Sequence, residues 1–331
     1  MNDIKYQYIP GGIIRSWENE KGKLCSCKVE SGESAEVSAE NVFNEYLDPG
    51  KSGAVKDFFN NEEYRSLFDK LQRGDDSLSG GEKYLVRELM AVQFYCNPFS
   101  FGRALEFFGY DKKYMKTALE AEMRKRSADD ILLRYIRAMF YLMYILDLEV
   151  VLVSAPGDSS FVLSSFPMII TDPAFGSDDL MSDKPYTANG TILFMPVSPK
   201  YAVAAYDSFV YKPVKTNGKL ILTPDDVDEY NKAVFTCGDT VVYNLSLTDV
   251  SSYRISKPDL WTALFSYSPS VFAIRARYVE VQETEGRAYC GLLEMSDSKY
   301  VGENGKLMIS EREQIERYNH ASKMLEDMKN Y

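Results

Sequence analysis

Apolar and polar positions divide the chain into stretches of three textures. Residues 6 to 47 read as a short β region, in which valine and aromatic runs flank "ENEKGK" (18–23), a charged, glycine-containing turn that predicts a hairpin. That region opens on "YQYIPGGIIRSW" (6–17), an aromatic-rich strand that breaks at Pro10-Gly11-Gly12 and resumes with Ile13, Ile14 and Trp17. Proline donates nothing to a sheet ladder, and two glycines remove side chains where something approaches closely. The break therefore predicts a bulged edge strand or the rim of a site.

Residues 58 to 147 read as helical almost throughout. In "DSLSGGEKYLVRELMAVQFY" (76–95), Ser79 with Glu82 three residues on forms a capping-box pattern, and Leu85, Leu89, Val92 and Phe94 approximate one apolar stripe. Asp111 heads "DKKYMKTALEAEMRKR". Ser127 with Asp130 heads "SADDILLRYIRAMFYLMYILDLE", whose apolar residues surround much of the circumference and predict a buried central helix.

After Asp147 the period changes to that of strands: "EVVLVSA", "FVLSSFPMIIT", "GTILFMPVS" and "YAVAAYDSF". "DPAFGSDDLMSDKPYTANG" (172–190) is a long polar connection. Thr223-Pro224-Asp225-Asp226 starts a helix that runs to about residue 235, with Thr223 as cap and proline at the first helical position. A strand (241–244), a helix around "PDLWTALFSY", a hairpin from "VFAIRARYVEVQ" to "AYCGLLEM" and a charged helix from Ser310 complete the chain. These elements predict an α+β fold, a helical block packed on a mostly antiparallel sheet built from both flanks. Residues 1–255 form its main domain, with the helical insert at about 58–147, and residues 256–331 form a C-terminal hairpin and helix packed on the same body.

Composition narrows the function. The chain has 331 residues, 45% apolar and 26% charged, the balance of an ordinary soluble globule. A net charge of −11 argues against non-specific binding to nucleic acid or anionic membrane. No apolar run reaches transmembrane length and no secretory leader opens the sequence. Cys25, Cys27, Cys96, Cys237 and Cys290 are odd in number and scattered, as in reduced thiols of a cytoplasmic protein. Cys25 and Cys27 lie two apart on one strand face and lack the second ligand pair of a zinc site.

Catalytic chemistry has few places to stand. The only histidine, His320, lies in a charged helical stretch, and no GxSxG, GxxxxGK[ST] or GxGxxG pattern occurs. Asp259, followed 21 positions later by Glu280-x-Gln282 on a predicted strand, loosely matches the acidic set of a metal-dependent nuclease, with Gln in place of the usual Lys. The alternative is that Asp259 caps a helix and Glu280 faces water. Arg124, Arg126, Arg134 and Arg137 would make a phosphate surface only if they shared one side; otherwise they pair with acids along solvated helix faces.

Six stretches together resemble the family of domains of unknown function numbered 4238. "YQYIPGGIIRSW" resembles that family's entry strand "HHYVPRFYLRNF", and "KGKLCSCKVESG" continues it. "MAVQFYCNPF" (90–99) is similar to a helix end of that family, and "FVLSSFPMII" (161–170) to its F-x-T-S-D-N-P strand. "ILFMPVSPKYAVAAYD" and "DVDEYNKAVFTCGDTVVYN" resemble the later "PLSP" and "ELN" segments. The resemblance covers residues 5 to 250 and implies that Pro10 stands near a polar cluster reached by the strand around Ser164. Relatives carry His where this chain has Gln7, Arg where it has Cys96, and Ser-Asp-Asn-Pro where it has Ser164-Ser165-Phe166-Pro167. Ser164, Ser198 and Asn231 keep the pattern. The family brings no activity with it.

Gln and Ser hydrogen-bond well but are poor general acids or bases near neutral pH. The expected site is therefore a ligand-binding cleft where Gln7, Ser164, Ser165, Ser198 and Asn231 converge. The expected protein is a ligand- or partner-binding one on a degenerate family site, with bacterial or phage defence as its setting. The alternative is a nuclease-like effector using Asp259, Glu280 and Gln282. The first reading implies a protein or small-ligand partner and no cofactor. Mg²⁺ or Mn²⁺ and nucleic acid enter only under the second.

Overall fold

The computed structural model describes residues 4–47, 59–98, 128–142, 145–171, 191–208, 211, 213–244 and 253. The entry strand β1 (Ile4–Gln7) ends before Pro10 and does not resume. The Pro10 carbonyl instead accepts from Ile13 N (2.9 Å) and Ile14 N (3.1 Å), so the chain turns into helix α1 (Gly11–Ile14) and a tighter turn over Arg15–Trp17. Ile13, Ile14 and Trp17 thereby share one buried face at helical spacing.

The strand β2 (Leu24–Lys28) pairs with β3 (Ser34–Val37), not with the entry strand. The expected hairpin over 18–23 is replaced by a local turn, where Asn19 Oδ1 accepts from Lys21 N (3.0 Å) and Lys23 N (3.1 Å). The reason is that both edges of β2 are occupied, one by β3 and the other by a strand from the distant end of the described chain. The entry strand takes β4 (Asn44–Leu47) as its antiparallel neighbour.

Helices α2 and α3 both start on side-chain caps, and the second is the one its sequence announces. In α2 (Glu62–Gln72) the Asn61 side chain accepts from Tyr64 N, and Tyr64, Leu67, Phe68 and Leu71 line the buried face. In α3 (Gly80–Cys96) Ser79 and Glu82 close a reciprocal capping box, at 3.2 and 2.7 Å. The central helix is α3, not α4 (Ala128–Leu142). Val86, Leu89, Met90, Val92 and Cys96 of α3 are buried on several sides, whereas α4 packs on α3 through Ile131, Ala138 and Leu142 and leaves Leu132, Leu133 and Ile136 exposed. Apolar residues around a circumference do not bury a helix whose neighbours, among the described residues, lie on one side.

The remaining strands are β5 (Glu149–Ser154), β6 (Leu163–Ser164), β7 (Ile169–Thr171), β8 (Ile192–Pro196), β9 (Tyr201–Tyr206), β10 (Leu220–Ile221) and, after α5 (Pro224–Cys237), β11 (Thr240–Tyr243). A five-stranded sheet runs β10-β5-β9-β8-β7, antiparallel except for the β10–β5 pair. Strand β8 is buried along its whole length, and β9 everywhere but at Tyr201, so both faces of the sheet centre are covered. A second sheet runs β3-β2-β11-β6. It joins residues 24–28 to residues 240–243, and α+β is the class of the fold. The helices read at 111–126, around Trp261 and from Ser310, and the hairpin at 271–295, lie outside the described residues.

Candidate functional site

Residues 160 to 171 form an unbroken buried stretch, yet only β6 and β7 within it are strand. Buried backbone outside a ladder must find other partners or lose about 1–3 kcal/mol per orphaned group. Here four side chains from three elements supply them. Trp17 Nε1 donates to Phe161 O at 3.0 Å. Asn231, inside α5, accepts from Val162 N at 3.0 Å and donates to Ser160 O at 2.9 Å. Asn97, just past α3, donates to Ser165 O at 2.8 Å, and Tyr230 Oη donates to Pro167 O at 2.7 Å.

The apolar half of the site is built from the same segment, α5 and β8. Phe161, Phe194 of β8 and Tyr230 form an aromatic triangle with centroids 5.1 to 5.8 Å apart, Phe161 and Tyr230 edge to face. This packing fixes the Tyr230 hydroxyl on Pro167 and presents its neighbour Asn231 to the 160–162 backbone.

The five residues expected at the site are placed as follows. Ser164, Ser165 and Asn231 belong to one buried region. Ser164 Oγ accepts from Phe166 N at 3.3 Å, and Ser165 Oγ accepts from Asp239 N at 2.9 Å. Ser198 Oγ caps the β8–β9 turn, accepting from Tyr201 N at 2.9 Å, and Pro199 O of that turn accepts from Phe161 N. The Gln7 amide is directed elsewhere, donating to Ala39 O (2.8 Å) and Val42 O (3.2 Å). The glycines beside it admit the protein's own groups. A Cβ on Gly12 would lie 2.8 Å from the Phe68 ring of α2, and one on Gly11 would lie 3.1 Å from Gln7 Oε1. Asp259, Glu280, Gln282 and His320 lie outside the described residues.

Sequence reading missed Gln93, Asn97, Tyr230, Trp17 and Tyr253. Gln93 and Asn97 stand in "MAVQFYCNPF", and an amide within an apolar stripe is the signal that marks them. Gln93 Nε2 donates to Tyr8 O at 2.8 Å. Among the described residues, Gln93 Oε1 and Ser160 Oγ are buried and make no hydrogen bond. A polar chain leads outward from Asn231: its amide lies 3.5 Å from Tyr253 Oη, which donates to the exposed Asp228 at 2.9 Å. Burial raises the Tyr253 phenol, and Asp228 raises it further against the opposing Asn231 contact, so it stays a neutral donor.

A separate charged group lies at the start of β5. Arg87, 1% exposed, donates through Nε and Nη2 to Leu148 O at 3.0 and 2.6 Å, and burial lowers it to about 10. Beside it, burial pushes Glu149 up, but the Lys83 ammonium at 2.9 Å and Lys215 at 3.8 Å outweigh that and hold it below its ordinary value. Among the described residues, no three of His, Cys, Asp and Glu gather as a metal site, and no helix is long and apolar enough to cross a membrane.

Fold and site define an α+β protein with a neutral, amide- and hydroxyl-rich buried cluster around an irregular segment. The model of one family, described as protein of unknown function (DUF4238), matches residues 8–246, and the chain belongs to that family. No curated protein and no solved structure matches it.

Proposed function

We propose that this chain is a ligand- or partner-binding protein of its family, working at the polar cluster around residues 160 to 167. One observation carries the reading. The groups at that cluster are amides and hydroxyls, and Ser160 Oγ there is buried with hydrogen-bonding capacity left over; so is Gln93 Oε1 of α3, one helical turn before the Asn97 that bonds Ser165 O. Such atoms favour a molecule that brings a donor to them, since leaving them unmatched costs about 1–3 kcal/mol each. Proton transfer has little to work with there, because Gln, Asn and Ser do not titrate near neutral pH. Cys25, Cys27 and Cys96 are free thiols, which supports a reducing compartment such as the cytoplasm. A role in bacterial or phage defence is the setting this reading carries from the sequence.

The test has two arms. Thermal-shift measurements against nucleosides, nucleotides, amino acids and sugar phosphates should find a stabilising compound whose effect is lost in Gln93→Leu or Ser160→Ala. RNA, single-stranded DNA and plasmid should survive incubation with Mg²⁺ or Mn²⁺. Metal-dependent cleavage that chelator stops and Glu280→Gln abolishes would replace the binding reading with the nuclease one.

A further inference from the structure

Six large apolar residues are exposed among the described ones, and three of them share one helix: Leu132 (50%), Leu133 (50%) and Ile136 (45%) of α4. The opposite face of α4 is used, with Ile131, Ala138 and Leu142 buried and Tyr135 Oη donating to Glu88 of α3 at 2.7 Å. The exposed stripe therefore remains after the helix has packed. A contiguous apolar stripe left at the surface marks an interaction site more often than scattered single residues do.

The charges beside the stripe identify what fits it. Asp130 and Arg137, both exposed, are seven residues apart, so they lie on the same flank of the stripe, two turns from each other. When two helices pack antiparallel, each flank meets the same flank of its partner. A second copy of α4, turned by a two-fold axis beside Leu133, would thus set Asp130 against Arg137 of the other copy, and Arg137 against Asp130. The same register sets Leu133 against Ile136 across the axis. We propose that α4 is a homodimer interface of this antiparallel, isologous kind, with a four-helix layer of two α3 and two α4 helices as its product.

The two charge pairs are exposed and add little affinity; they select the antiparallel orientation. The apolar stripe supplies the attraction. This interface is independent of the cluster around residues 160 to 167, so the failure of one leaves the other standing.

Sedimentation equilibrium of the full chain tests the proposal. Wild type should populate a species of twice the 37.7 kDa chain mass in the micromolar range. Leu133→Asp, at an exposed position, should yield monomer with an unchanged circular-dichroism spectrum. Asp130→Lys and Arg137→Glu should each weaken association roughly tenfold, and the double variant should restore it. A monomeric wild type overturns the proposal, as does a dimer indifferent to Leu133→Asp. Failure of the double reversal to restore association overturns the antiparallel pairing.

Discussion

Gly238 stands so close to Ser164 that a Cβ added to it would lie 2.1 Å from the Ser164 Oγ. The same atom would lie 2.7 Å from Ser165 Oγ and 3.3 Å from Ser165 N. The glycine is needed for space, not for its backbone angle, since its φ of −94° suits any residue. This approach lets the chain leaving α5 lay the amides of Asp239 and Thr240 on Ser165 Oγ and begin β11. Gly238→Ala should therefore destabilise the protein by about 1–3 kcal/mol through overpacking. Urea titration of Gly238→Ala, Ser164→Ala and the double variant checks the origin. The double variant should be more stable than the sum of the singles predicts, because removing Ser164 Oγ relieves the closer of the two clashes.

Asn231 is the strongest single clamp on the irregular segment, since one amide serves both Ser160 O and Val162 N. Asn231→Leu keeps the volume and orphans a buried donor and a buried acceptor. A loss of about 2–4 kcal/mol is expected. Asn231→Asp keeps the acceptor for Val162 N but loses the donor, so its loss should shrink in acid, where the carboxyl carries a proton. Chemical denaturation at pH 7 and pH 4 separates the two variants.

Glu149 gives the acid limb of stability a defined contributor. Its carboxyl is held below its ordinary value in the folded state, with burial opposing and Lys83 prevailing. A depressed carboxylate contributes stability that is fully present above its unfolded value, near 4.3 as a rough figure, and is lost as pH falls through the folded one. Lys83→Met should lower stability at pH 7 and flatten its fall toward pH 3. Parallel slopes for wild type and variant in urea titrations across that range would refute the assignment.

The pairing of β2 with β11 has a consequence for dissection of the chain. A fragment of residues 1–147 would keep β2 and β3 but lose β11, along with the Phe161 carbonyl that Trp17 bonds. Limited proteolysis of the native protein should release no stable fragment ending near residue 147. Recovery of a folded one by mass spectrometry and circular dichroism would establish two separable domains.

Local patterns in this chain were readable because they depend on residues within a turn or two. Ser79 with Glu82, and Thr223 with Asp226 behind Pro224, announced two helix starts that the structure shows as reciprocal boxes. The short apolar runs "EVVLVS" and "YAVAAY" announced two strands that lie side by side. The stretch after Pro10 misled for the same local reason. Apolar residues at 13, 14 and 17 fit a strand or a turn of helix, and the choice was made by Phe68 of a distant helix packing on Gly12.

The candidate site was legible only in its parts. Ser164, Ser165 and Asn231 were named from sequence, and they do border one segment. Nothing in their spacing tells that Trp17, Asn97 and Tyr230 serve the same backbone, because those partners are 63 to 144 residues away from the groups they bond. Sequence alone determined the fold class, two helix starts and the neutral chemistry, which follow from local pattern and composition, and the family, which follows from resemblance. The tertiary structure alone decided which strand β2 pairs with, which helix is central and which side chains satisfy residues 160 to 167. Those choices are set by the requirement that every buried backbone group find a partner, and that requirement acts in space without regard to distance along the chain.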